Sequence, residues 1–188
     1  VLGYYHSSRK TDFFMHSFLD IYEFCNTLKV IIETSKSIYR YLLKIGVTPA
    51  EAEDIVQDTI HKALVSIPNM KIKYIKTWLF QVAINRHRDV ARRQKRIEEI
   101  PIESVQLIGS KGLDEPLLRK ELQVEIQSIL GKMNPVYKHI LLLKYDYELS
   151  YKEIATVLEM KEETVRVSLY RARNEFKKLY GRFEDGQR

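Results

Sequence analysis

The sequence predicts an all-α fold of two small helical domains joined by a flexible linker, and three observations carry this. Glycine and proline are sparse, 7 and 5 in 188 residues, which leaves too little turn punctuation for a many-stranded fold. Apolar residues recur at three- and four-residue steps in two separate blocks. Between the blocks, from Ile97 to Leu113, that periodicity dissolves around Pro101, Gly109, Ser110 and Gly112. Hydrophobic residues make up 45% of the chain, enough to pack two cores.

The segment from roughly Phe13 to Ile45 reads as one or two helices stopped at Gly46. Its apolar first part is interrupted by His16, Asp20, Glu23 and Lys29, whose burial in lipid is costly, so it reads as amphipathic rather than membrane-inserted. No signal-peptide pattern is visible. Cys25 is the sole cysteine, which rules out an intrachain disulfide and suits a reducing cytoplasm. The next helix opens with Thr48 as cap, Pro49 in the first turn and Glu51 completing a capping box. Ala52, Ile55, Val56, Ile60, Ala63, Leu64 and Ile67 form its apolar stripe, and Pro68 closes it. Ile75, Trp78, Leu79 and Val82 begin a third stripe that fades into a basic run.

The linker, 17 residues from Ile97 to Leu113, spans about 56–61 Å when extended. It separates an N-terminal domain, 1–96, from a C-terminal domain, 114–188. Beyond it, Leu117, Leu118, Leu122, Ile126 and Ile129 mark a helix over roughly Asp114–Leu130, and Pro135 opens another through Ile140, Leu141 and Leu143. Ser150 caps a short helix with Glu153 as its capping-box partner. Thr164 to Tyr180 forms a last helix of about 25 Å.

Charge is distributed unevenly. The net charge is +6, and Arg86, Arg88, Arg92, Arg93, Lys95 and Arg96 crowd one stretch, while Arg166, Arg171, Arg173, Lys177 and Lys178 crowd another. Two separated basic patches point to two nucleic-acid contacts. Glu51, Asp54 and Asp58 share one helical face and suggest a basic protein partner there instead.

Residues Ser150 to Arg173 have the pattern of a helix-turn-helix. Ile154, Ala155 and Leu158 face inward on the first helix, and Val165, Leu169, Ala172 and Phe176 on the second, with Glu159-Met160-Lys161 as the turn. The outward face of the second helix carries Thr164, Arg166, Val167, Tyr170, Arg171 and Asn174. Arginine reads guanine bidentately, asparagine reads adenine, and cations further along grip phosphate. Binding of this kind is salt-dependent.

The run Met133-Asn134-Pro135-Val136-Tyr137-Lys138-His139-Ile140-Leu141-Leu142-Leu143-Lys144-Tyr145, with Leu149–Ala155 and Thr164–Arg173, resembles region 4 of extracytoplasmic-function sigma factors. The resemblance implies a domain that binds the promoter −35 element and the polymerase β flap, with contacts from Thr164, Arg166, Val167, Tyr170, Arg171 and Arg173. Two glycines usual in that family are replaced here by Glu159 and Glu163. A non-glycine residue in a left-handed turn costs roughly 1 kcal/mol.

The other half resembles the same family. Ala52-Glu53-Asp54-Ile55-Val56-Gln57-Asp58-Thr59 is similar to region 2.2, implying docking on the β′ clamp helices of core RNA polymerase through Glu51, Asp54, Ile55, Val56, Gln57 and Asp58. Tyr74–Asn85 is similar to regions 2.3 and 2.4, implying contact with and opening of the −10 element. A loop of roughly Asn69 to Tyr74 suits a pocket for an extruded base, with Lys71, Lys73, Tyr74 and Lys76 along the strand. Asn85, Arg88, Arg92 and Arg93 continue this −10 surface. For Trp78 both a core position and a stacking position are open. The first 25 or so residues fit the family poorly and read as an extension. The resemblance also implies an anti-sigma partner and a non-enzymatic, cytoplasmic role in transcription initiation.

No phosphate-binding glycine loop is present. His6, His16, His61, His87 and His139 show no ligand spacing, so no metal, cofactor or catalytic residue is expected. Two other readings compete: a helix-turn-helix regulator acting without sigma activity, and a helical adaptor that binds only proteins. Region 2-like sequence speaks against the first, and the recognition-helix pattern against the second.

Overall fold

A computed structural model describes residues 5–66, 72–97 and 117–186, with side chains described for 21–66, 73–93 and 124–181. Every regular element among the described residues is helical: α1 (Tyr5–Ile45), α2 (Pro49–Ser66), α3 (Ile72–Ile97), α4 (Leu117–Lys132), α5 (Pro135–Leu141), a π-helical turn (Leu142–Asp146), α6 (Tyr151–Leu158) and α7 (Glu162–Gly186). Pro68, Lys71 and residues 98–113 of the predicted linker lie outside the described residues.

Local chemistry sets the helix ends. Gly46 stops α1 with φ at 104°, a left-handed value that glycine adopts without steric cost. The Thr48 hydroxyl accepts from the Glu51 N–H at 3.4 Å at the start of α2. The Asn134 side chain caps α5, accepting from the Val136 N–H at 2.9 Å, with Pro135 at the first helical position. Both halves of the Ser150–Glu153 capping box are formed. The helix begun by Pro135 widens after Leu141 into the π-helical turn before reaching Tyr147.

Helices α1, α2 and α3 pack together through Ile38, Leu42, Ala52, Ile55, Ala63, Leu79 and Ala83, and α5, α6 and α7 through Ile140, Leu143, Ile154, Leu158, Val165, Leu169 and Ala172. The two halves do not stand apart. α6 lies along α3, α1 meets α4 and α5, and one continuous apolar core runs through both. At the junction Phe80 packs between Tyr41, with ring centroids 5.7 Å apart, and Tyr147 at 5.2 Å. Hydrophobic burial between the halves favours this contact.

Buried polar groups sit beside this aromatic cluster. The Tyr41 hydroxyl and His139 Nδ1 share a hydrogen bond. Burial, reinforced by the nearby His87, Arg88 and Lys138 charges, holds the His139 imidazole down at about 4. Burial likewise lowers His87, despite the opposing pull of Glu51. The folded state thus favours neutral His139, while the unfolded chain takes up a proton below its ordinary 6.5. Stability is therefore expected to fall as pH drops from about 6.5 towards about 4, by up to about 1.4 kcal/mol per pH unit for this group. Urea midpoints measured across that window check it; a flat profile would contradict the burial of His139.

Candidate nucleic-acid interface

The inward and outward faces of α7 fall where its apolar period places them. On α7, Val165, Ser168, Leu169 and Ala172 turn inward, which leaves Thr164, Arg166, Val167, Tyr170, Arg171, Arg173 and Asn174 all exposed. Tyr170 is 66% exposed and Val167 50%, so apolar surface lies beside the cations on this face. The residues preceding α7 bring their own aromatics to this face. Tyr151 lies under Arg166, whose guanidinium carbon is 4.8 Å from the ring centroid, and Tyr145 lies under Arg173 at 5.7 Å. Glu162 bridges Arg166 at 2.7 Å.

Glu159 takes the left-handed conformation expected at the turn, with φ at 58°. Glu163 does not; it belongs to the first turn of α7, so no left-handed cost arises there. A second left-handed residue, Glu148 at 57°, precedes α6 and was not foreseen. The Glu159 carboxylate accepts from Asn85 Nδ2 on α3 at 2.9 Å. Strain at the turn is thus offset by a bond to the other half of the molecule. Glu159→Gly is expected to relieve about 1 kcal/mol of left-handed cost while losing a bond worth about 0.5–1.5 kcal/mol. Total stability should change little, and Asn85→Ala should have no further effect in that background. A urea-denaturation double-mutant cycle tests this, and additive effects would break the link.

The −10 candidates divide into an exposed group and a group engaged by the C-terminal half. Lys73, Tyr74, Arg92 and Arg93 are exposed, with Tyr74 at 58% and Lys73 Nζ 5.9 Å from its ring centroid. Among the described residues Arg92 pairs with Asp89, at 3.8 Å. Lys73 and Tyr74 lie in the first turns of α3, because the helix starts at Ile72 and not after Tyr74; the remainder of the predicted base-pocket loop, 69–71, lies outside the described residues. Lys76, Asn85 and Arg88 instead face the C-terminal half. Lys76 Nζ donates to the Tyr147 carbonyl at 2.8 Å, Arg88 donates to the Leu158 carbonyl at 3.4 Å, and Asn85 holds Glu159. Their donors are engaged within the chain in this arrangement. Trp78 is half-buried and packs on the core, which favours the core position over the stacking one.

The acidic face of α2 is also only partly open. Asp54 and Gln57 are exposed, whereas Asp58 pairs with Arg86 at 2.7 Å and Glu51 faces His87 at 4.0 Å. Ile55 is 1% exposed and Val56 packs against the core, so Ile55 belongs to the interior and not to a docking surface. The apolar period places Ile55 in the core, and the docking role implied by the resemblance to region 2.2 does not fit that burial.

The sequence reading missed the partners of these groups. Thr77 donates to Glu153 at 3.0 Å, and Lys44 pairs with Asp146 at 2.5 Å. Both pairs join the two halves, and nothing local in the sequence announces them. The Glu153 carboxyl feels burial, which raises it, but the Ser150 and Thr77 hydrogen bonds and the Lys76 charge outweigh this and hold it below its ordinary value. No group of His, Cys, Asp and Glu among the described residues is arranged to hold a metal.

A helical bundle followed by a helix-turn-helix, with the basic face of α7 exposed, defines the class of a helical transcription factor. Residues 31–97 match the family Sigma-70 region 2, and residues 123–176 match Sigma-70, region 4. The chain belongs to the extracytoplasmic-function sigma factors of RNA polymerase. The ECF RNA polymerase sigma factor SigM of Bacillus subtilis is 33% identical over 148 residues, covering 77% of this chain and 89% of SigM. SigW of the same organism is 30% identical over 142 residues, covering 68% and 74% respectively. The fold is also that of the sigma factor RpoE solved in complex with the anti-sigma factor NepR from Bartonella quintana, with a TM-score of 0.66 at 21% identity over 82% of this chain and 96% of that one. CnrH, solved with the cytosolic domain of CnrY, gives a TM-score of 0.58 at 21% identity over 81% and 86%.

Proposed function

We propose that this sigma factor brings core RNA polymerase to promoters in the cytoplasm, contacting the −35 element through α7 and the −10 element through α3, and helps open the latter. The observation that carries the reading is the α7 face, where every polar and apolar residue nominated for DNA is exposed on one side of a helix-turn-helix. Asp54 and Gln57 on α2 are its docking residues for the β′ clamp helices, with Glu51, Val56 and Asp58 beside them; the β flap is the partner of the C-terminal half. Domains 1–96 and 114–188 act as the two arms, and the chain catalyses no reaction itself.

The reading requires the molecule to open. Elements centred about 25 base pairs apart lie about 85 Å apart along B-DNA, whereas α6 and the turn at Glu159 touch α3 here. A tether of about 56–61 Å, added to the width of two domains, covers that distance. Opening also frees Lys76, Asn85 and Arg88 for the −10 strand. An anti-sigma partner, such as those solved with RpoE and CnrH, would hold the factor inactive.

Reconstituted transcription tests the proposal. Adding the chain to core polymerase should give initiation at a defined set of start sites from genomic templates. A shift of free duplex DNA without any need for polymerase would favour a conventional helix-turn-helix regulator and reject the sigma activity.

A further inference from the structure

Tyr151 opens α6 directly after Ser150, whose reciprocal bonds with Glu153 fix where that helix begins. Its ring is half-buried against the core, so it cannot swing freely. Two cations lie on it: Lys144 Nζ at 5.0 Å from the centroid and the Arg166 guanidinium carbon at 4.8 Å. Lys144 is anchored in turn by the Leu149 carbonyl at 3.2 Å. Arg166 is held from its other side by Glu162, one turn earlier on α7, at 2.7 Å. A Lys144–Tyr151–Arg166–Glu162 chain thus leads from the start of α6 to the start of the recognition helix.

The physical consequence concerns order, not only attraction. An exposed arginine loses rotamer freedom when DNA fixes it, and that loss subtracts from affinity. Contact through a ring face engages the cation without consuming any N–H donor, and the guanidinium keeps its planar fork for a base edge or phosphate. A carboxylate alone would use those donors and repel phosphate. Arg173, seven residues on and therefore on the same face of α7, repeats the arrangement over Tyr145.

We infer that Tyr151 is a positioning residue for −35 recognition: it holds Arg166 pre-ordered at the start of α7, so that DNA meets a placed guanidinium whose donors, apart from the Nη2 given to Glu162, are not consumed by the ring contact. This rests on the reading of α7 as the −35 helix.

The test uses holoenzyme reconstituted from core polymerase and the full chain, with promoter duplexes of native and altered −35 sequence. Arg166→Ala should weaken binding to the native element and lessen discrimination against altered ones. Tyr151→Leu should weaken binding about two- to fivefold, as an exposed cation–π contact predicts, and Tyr151→Phe should retain wild-type affinity. In the Arg166→Ala background, Tyr151→Leu should have no further effect. Should leucine lower the thermal midpoint of the chain, Tyr151→Met supplies an apolar side chain without a π face. Equal losses from Tyr151→Leu with and without Arg166 would make the tyrosine merely structural and overturn the inference. A wild-type affinity for Tyr151→Leu beside a weakened Arg166→Ala would overturn it too. Wild-type behaviour of Arg166→Ala would reject the −35 role of Arg166 itself, a separate failure.

Discussion

Phe80→Ala is expected to cost about 3–5 kcal/mol, the range for truncating a buried aromatic. Phe80 is 0% exposed, and its ring lies against Tyr41 of α1 and Tyr147 of the C-terminal half. Tyr41 packs in turn on Tyr147 at 5.6 Å, edge to face. Removing the ring therefore opens a cavity shared by both halves, and no single helix can relax to fill it. The loss should appear in a urea titration as a lower midpoint for the whole chain. It should also make the C-terminal half more accessible to hydrogen exchange, because the cross-domain contacts are weakened together. A loss under about 1 kcal/mol would mean that Phe80 is not buried at a shared junction.

Asp54→Lys should weaken association with core polymerase at least tenfold, since a misplaced like charge at an interface costs several kcal/mol. Asp54 is the informative position because it is exposed and makes no ion pair among the described residues. Asp58→Lys should also weaken association, but it would set two cations together, because Arg86 lies 2.7 Å from the carboxylate. Its effect would mix lost docking with lost stability. Glu23→Lys, exposed on α1 and remote from α2 in sequence, serves as the control for net charge. Surface plasmon resonance against immobilised core polymerase checks both, and equal affinities for Asp54→Lys and Glu23→Lys would remove the acidic face from the docking surface.

What the sequence revealed was what is local. The Ser150–Glu153 capping box and Pro135 at a helix start depend on residues within one turn of each other, and both form as read. The strained turn at Glu159 and the outward face of α7 follow from a short motif and a 3.6-residue period. Periodicity places Ile55 and Trp78 on apolar stripes and both pack inward; it is the docking role that the resemblance implies for Ile55 that burial removes. What remained hidden was non-local. Tyr41 meets His139 across 98 residues, and Asn85 meets Glu159 across 74. A cluster of arginines and an asparagine reads as a DNA surface whether or not a carbonyl and a carboxylate from the other domain cover it. The sequence therefore announced two arms, and the contact that folds one onto the other came only from the structure.

That contact leads to the most direct test. Fluorophores placed on α3 near Asn85 and on α6 near Leu158 would report the distance between the arms by energy transfer, in the free chain and in promoter-bound holoenzyme active in transcription. High transfer in the free chain that collapses on forming the promoter complex is the predicted result. Transfer that stays high in a complex making transcripts would contradict the account, because arms still in contact cannot occupy both promoter elements.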